Sequence, residues 1–211
     1  MHHKTFSILL AVVLSAGICG CGGRSGQSMK EYQTPTGQES RNTELARDNN
    51  AKAIALIKKS DLGAAEKELK AALTADSFFG PAHNNLGIVY YRQKNYYLAA
   101  WEFQYAVKLM PGKAEPKNNL GMVYEAVGRR NDAAKYYQEA LAIDDDCVET
   151  MTNLARVYVR DNRKDEKTRK LLEEIVLKDA RPEWASWARE KLALLGGNPS
   201  PTGGPVDGNS K

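Results

Sequence analysis

The sequence predicts an all-α solenoid of about four helix pairs closed by one further helix, and three observations predict it. The blocks Asn85-Leu86-Gly87-Ile88-Val89-Tyr90 and Asn119-Leu120-Gly121-Met122-Val123-Tyr124 lie 34 residues apart, and Ala99, Phe103 and Ala106 recur at that offset as Ala133, Tyr137 and Ala140. A fixed period of this length belongs to stacked helix pairs that bury their apolar faces only against neighbouring copies. Small residues recur where two helices of a pair would cross: Ala53, Gly87, Gly121 and Ala155 in the first helix, Ala65, Ala99 and Ala133 in the second. Turn formers fall between them, at Ser60-Asp61, Asn95, Gly128 and Asn162.

Before the repeats, Lys4 precedes an apolar run from Phe6 to Ile18, shorter than the roughly 20 residues a membrane-spanning helix needs. A basic start, a short apolar run and small residues near Gly20 describe a secretory signal over residues 1–20. Ile18-Cys19-Gly20-Cys21 also resembles a bacterial lipobox, although Cys19 is unusual at its position. That resemblance implies cleavage before Cys21 and acylation of Cys21; the alternative is ordinary secretion without lipid. Gly22 stands where the usual inner-membrane retention signal has aspartate, so in a diderm bacterium the outer membrane facing the periplasm is the expected site. Several acyl chains on one residue give stable anchoring, which a single chain does not.

Residues 21–43 read as a lipidated, disordered tether of Gly, Ser, Thr, Gln and Arg, with an end-to-end distance of about 25 Å as a flexible coil. The folded unit is expected over residues 44–195, as repeats 46–79, 80–113, 114–147 and 148–181 and a capping helix 182–195. In each repeat larger apolar residues fill the layer between the small ones: Leu56, Leu69 and Ala72; Tyr90, Phe103 and Ala106; Tyr124, Tyr137 and Ala140. Pro81 and Pro116 open first helices, where the missing N–H does no harm. In the fourth repeat an unadjusted register would bury Lys167 and Glu174; a one-residue insertion places Thr168, Leu172 and Ile175 there instead. The last helix starts at Pro182 and ends at Gly196-Gly197, with Trp184, Ala188, Leu192 and Leu195 as its apolar stripe. It would cover the exposed end of the stack, so its tryptophans read as packing. From Gly196 to Lys211 eight of sixteen residues are Gly or Pro, a disordered tail.

These residues resemble the tetratricopeptide repeat, the known family of 34-residue helix pairs. The resemblance implies a right-handed α-α superhelix whose first helices line a concave groove through positions 2, 5, 6, 9, 12 and 13 of each repeat. Positions 5 and 6 read Asn50-Ala51, Asn84-Asn85, Asn118-Asn119 and Thr152-Asn153. Asparagine is a mediocre helix former, and its carboxamide both donates and accepts, as a peptide backbone does. Superhelical relatives hold peptides with such a ladder, although asparagine at position 6 is also common where it bonds only neighbouring backbone or water. Around it, Ile54, Ile57, Ile88, Tyr91 and Met122 would supply apolar contacts, and Lys58, Arg92, Arg156 and Arg160 positive charge interrupted by Glu125. The candidate peptide-binding residues are therefore Asn50, Asn84, Asn85, Ile88, Tyr91, Arg92, Asn118, Asn119, Met122, Asn153 and Arg156. The lysine and asparagine of the family's carboxylate clamp are replaced by Asn84 and Ile88, which argues against that mode.

A reaction finds little support in the residues. His2 and His3 lie in the leader, which leaves His83 alone beyond it. No Ser–His–acid set beyond that imidazole, no cysteine pair with metal-ligand spacing and no glycine-rich phosphate loop is present. Asp144-Asp145-Asp146 reads as a polar helix end. Cys147 is left alone once Cys19 leaves with the leader and Cys21 carries lipid, and its plain role is packing at a repeat junction. The charge of +4 becomes +3 without Lys4, too mild and too interspersed for a nucleic-acid surface. The sequence thus leads to a binding protein without cofactor or metal: a lipid-anchored scaffold that takes an extended protein segment and supports assembly of an envelope complex. Alternatives are a pilotin-like pilus or secretion assembly lipoprotein, which the anchor and repeats resemble, a non-catalytic subunit of a lipid-anchored hydrolase, or self-association through the cap.

Overall fold

The computed structural model describes residues 41–196. The leader, Cys21, the tether up to residue 40 and the tail from residue 197 lie outside the described residues. Among the described residues there are nine α-helices and no strand: α1 (Thr43–Lys58), α2 (Leu62–Ala75), α3 (Gly80–Arg92), α4 (Tyr96–Leu109), α5 (Glu115–Ala126), α6 (Arg130–Leu141), α7 (Val148–Arg160), α8 (Glu166–Lys178) and α9 (Pro182–Leu194). None of them is long and apolar enough to cross a membrane. Each helix packs on the next, and α1, α3, α5 and α7 also touch in succession, so the first helices form one continuous face. This is a superhelix of four helix pairs followed by a lone helix.

Side-chain volume at two crossing points sets the spacing within pairs. A Cβ at Gly87 would stand 2.6 Å from the Phe103 ring, and one at Gly121 would stand 2.6 Å from the Tyr137 ring. Both rings are fully buried, so the glycines are required by close approach rather than by backbone conformation. Where the facing residue is Leu69 the crossing residue is Ala53, and where it is Leu172 it is Ala155. The smaller partner leaves room for a methyl group.

The turns repeat with the same regularity. Ser60, Lys94, Gly128 and Asn162, each 34 residues from the next, all have positive φ (61°, 62°, 80° and 54°). A left-handed residue there reverses the chain within three residues in the first three pairs. Between α7 and α8 the connection is five residues long, and Thr168, Leu172 and Ile175 are fully buried, the register an insertion gives.

The last helix differs from expectation at both ends of its stripe: Trp184 and Leu195 are only half-buried, and Leu195 caps the helix. Ala185, Ala188 and Leu192 are its buried side chains, while Trp184 is set edge-on to Trp187 at 5.7 Å. Asp179 binds the Arg181 guanidinium at 2.7–2.8 Å, and that guanidinium lies 5.7 Å from the Trp184 ring.

Candidate binding groove

The asparagines at positions 5 and 6 form an internal ladder along the face made by α1, α3, α5 and α7. Asn85 donates through Nδ2 to Asn50 Oδ1 at 2.8 Å, Asn119 to Asn84 at 3.0 Å, and Asn153 to Asn118 at 3.1 Å. Each rung joins residues 35 apart, so position 5 of one repeat accepts from position 6 of the next. Asn50, Asn84 and Asn118 are buried behind the surface. Through these bonds they tie consecutive repeats together.

The ladder also orients the outer carboxamides. Asn84 Nδ2 lies 2.8 Å from Glu115 Oε1, and an ionised carboxylate only accepts, so the Asn84 amide group points there and its oxygen faces Asn119. Asn119 must then present its amide inward and its carbonyl outward. No buried side-chain polar atom lacks a partner among the described residues. Among the described residues no donor reaches Oδ1 of Asn85, Asn119 or Asn153; Asn85 and Asn119 are half-buried and turn these oxygens outward, whereas Asn153 is as buried as Asn50. A pair of outward acceptors results, suited to amide N–H groups.

Beside the pair, between the second and third repeats, lies a pocket of about 190 Å³ lined by Ile88, Tyr91, Arg92, Phe103, Asn119, Met122 and Glu149. It gathers five of the residues singled out from sequence. Phe103 and Glu149 were missed; Glu149 occupies position 2 of its repeat, one of the inward positions, and that signal was present in the sequence. Phe103 was assigned to the core, and it reaches the pocket floor because Gly87 lets α4 approach α3. Arg92 at the rim donates through Nη1 to the Ile57 carbonyl at 3.0 Å, at the negative end of α1.

Along the groove the positive charge of Arg156 and Arg160 meets Glu125. Arg156 binds Glu125 through Nε and Nη2 at 2.9 and 2.8 Å, Arg160 reaches the same carboxylate at 3.3 Å, and the Tyr137 hydroxyl donates to it at 3.1 Å. Burial alone would raise the Glu125 pKa; the Arg156 hydrogen bonds and charge outweigh it and hold the carboxyl below its ordinary value. Arg156 is thereby neutralised and fixed, and the fourth repeat presents a closed ion pair where the second presents an open pocket.

Among the described residues no group of three or more His, Cys, Asp or Glu side chains could hold a metal ion. His83 lies away from the groove: its Nδ1 is 2.7 Å from Glu102 Oε2 and its Nε2 is 3.0 Å from the Ser77 carbonyl. Both partners accept, so the protonated ring satisfies both; burial lowers the His83 pKa, but the Glu102 and Ser77 hydrogen bonds outweigh it and raise it on balance.

Comparison with known proteins places this geometry. One tetratricopeptide-repeat family model matches residues 50–114 and another matches residues 114–147. No curated protein matches the chain. Among solved structures the fold is similar to that of PilF from Pseudomonas aeruginosa, with a TM-score of 0.61 and 20% identity over 72% of this chain and 73% of that one. It is similar to an O-GlcNAc transferase mutant from Thermobaculum terrenum, TM-score 0.59 and 23% identity, over 70% of this chain but 27% of that one. It is similar also to the first TPR of Spaghetti (RPAP3) bound to the HSP90 peptide SRMEEVD, TM-score 0.55 and 18% identity, over 57% and 96%. Identities this low carry the fold alone.

Proposed function

The chain belongs to the tetratricopeptide-repeat family, a fold of protein-binding scaffolds, and on that premise we propose that it is a lipid-anchored scaffold holding an extended partner segment in its groove. The observation that carries the reading is the pairing of an apolar pocket with outward carbonyls at Asn85 and Asn119. An extended segment meets these carbonyls with its N–H groups and seats one apolar side chain among Ile88, Tyr91, Phe103 and Met122. Burying a side chain of leucine size there contributes about 2 kcal/mol, and the carbonyls set direction and register. The peptide-bound relative supports a peptide as the class of partner. Nothing in this reading calls for a reaction by the chain itself.

The lipobox-like Cys21 supplies the anchor and Gly22 the outer-membrane address, so the partner belongs to an envelope assembly. A pilus or secretion assembly role is the narrower form of the same reading, supported by architecture like that of PilF. Pulldown from membranes tests the groove: Met122→Glu fills the pocket with charge and should lower partner recovery at least tenfold with the melting temperature unchanged. Equal recovery would remove the groove from the function. Fractionation of a Cys21→Ser variant tests the anchor, which predicts its release into the soluble fraction.

A further inference from the structure

The repeats supply their own control for what the fold requires on the outer face. Positions 18, 22 and 26 of each repeat point outward from the second helix. They hold Gly63, Lys67 and Ala71 in α2, Asn131, Lys135 and Glu139 in α6, and, with the one-residue shift, Glu166, Lys170 and Glu174 in α8. In α4 they hold Tyr97, Trp101 and Tyr105, which are 78%, 56% and 37% exposed. Three copies of the pair fold with small, polar or charged residues there, so folding does not account for the three rings. Spaced four residues apart on one helix, they form a row about 12 Å long.

The row is held in place. Tyr105 lies 4.9 Å from the His83 ring and 6.5 Å from Trp101, and His83 is fixed between Glu102 and the Ser77 carbonyl. Phe78, also exposed, follows Ser77 in the same turn. Pre-ordered aromatic side chains lose little freedom on contact, which is why they dominate protein interfaces. The charge at its two ends has one sign. Glu102, the single carboxylate of α4, is taken by His83, whereas Lys94 before the helix and Lys108 at its end have no carboxylate partner among the described residues. The Lys108 ammonium lies 5.8 Å from the Tyr105 ring.

We propose that the outer face of α4 docks a second protein segment whose apolar side chains cover Tyr97, Trp101 and Tyr105 and whose carboxylates meet Lys94 and Lys108. Lys108 lies twelve residues of helical rise beyond Tyr96, about 18 Å, and Lys94 stands in the turn just before that helix, so the span matches roughly six extended residues. A second copy of this chain fits less well, because antiparallel pairing about Trp101 would set Lys94 opposite Lys108 of the other copy. A bilayer fits less well too: the neighbouring outer positions carry Asn131 and Glu139 rather than apolar groups, so the patch is one helix wide. This surface is separate from the groove and does not depend on it.

The test selects a random dodecapeptide library displayed on phage against the purified full chain. Parallel selections use Tyr97→Ser with Trp101→Ser, Lys108→Glu, and the groove variant Met122→Glu. Clones with apolar or aromatic residues between Asp or Glu should enrich on the wild type and on Met122→Glu, and fall at least tenfold on the other two. Should the double serine variant melt lower, Lys108→Glu decides, since Lys108 is exposed and the three rings stay in place. Absence of clones sensitive to Trp101, or a basic consensus, overturns the proposal. So does Trp101-dependent cosedimentation with phosphatidylglycerol–phosphatidylethanolamine vesicles, which would make the patch a bilayer contact. A Trp101-dependent doubling of mass in light scattering would make it a self-interface and overturn it equally.

Discussion

The second and third repeats share a skeleton and differ by one oxygen atom at its centre. Phe103 and Tyr137 occupy the same position against Gly87 and Gly121. The Tyr137 hydroxyl donates to Glu125 at position 12, and position 9 of the following repeat answers with Arg156. Phe103 has no hydroxyl; position 12 of its repeat is Tyr91, position 9 of the next is Met122, and an apolar pocket stands open between them. Three residues from three helices change character together. Packing therefore fixes where these side chains stand, and their polarity decides whether the groove is open or closed there.

The largest expected effect tests the shared part. Gly87→Val and Gly121→Val both drive carbon into a buried ring that cannot retreat, and each should cost about 3 kcal/mol or more in urea unfolding. If the two variants differ by more than about 1 kcal/mol, the repeats do not share one crossing geometry. Ala53→Gly is the matching control: it removes a methyl group facing Leu69 and should cost about 1 kcal/mol.

The next prediction separates the repeats by pH. His83, in the second, has its pKa lowered by burial but raised on balance by the Glu102 and Ser77 hydrogen bonds. Its contribution is complete below about pH 6.5, the unfolded value, and is lost as pH rises through the higher folded value. Glu125, in the third, is depressed on balance, so its contribution is complete above about pH 4.3 and is lost as pH falls through the lower folded value. Urea midpoints measured from acid to mildly basic pH should thus decline at both ends. Glu125→Gln should make the acid limb shallower without removing it, since Asp76, Asp165 and Asp179 are depressed too, and His83→Gln should flatten the basic limb alone. A basic limb that survives His83→Gln would show that the imidazolium is not its source.

Much of this division was legible beforehand, for a physical reason. A solenoid repeats its packing, so Gly87 with Gly121, Ala99 with Ala133 and Phe103 with Tyr137 announce the helix pairs by offset alone. Thr168, Leu172 and Ile175 could be placed because a charged residue at the unshifted position is too costly to bury. What stayed hidden lies between repeats. The ladder links residues 35 apart, one more than the period, so aligning copies at 34 set Asn50 beside Asn84 and concealed its bond to Asn85. The neutralisation of Arg156 by Glu125 likewise crosses from one repeat to the next, 31 residues apart. The outer aromatic row of α4 shows in the alignment as well, since the same positions hold small, polar or charged residues in the other repeats.

The smallest effect concerns the turns, where the repeats are most alike. Position 15 needs positive φ, and the third repeat meets the need with Gly128, whereas the first uses Ser60 at φ 61° and the second Lys94 at φ 62°. An L-residue held there costs roughly 1–2 kcal/mol through its Cβ and the following carbonyl. Glycine removes that strain but loses more freedom on folding, by roughly 0.5–1 kcal/mol. Ser60→Gly should therefore stabilise by about 0.5 kcal/mol, and Gly128→Ser should destabilise by a similar amount. Ser60 is exposed and no side-chain hydrogen bond is lost, so the pair isolates the backbone. Opposite signs in matched thermal melts would establish that one conformation at position 15 closes both hairpins. A loss of stability in Ser60→Gly would mean that this turn carries no strain for glycine to relieve.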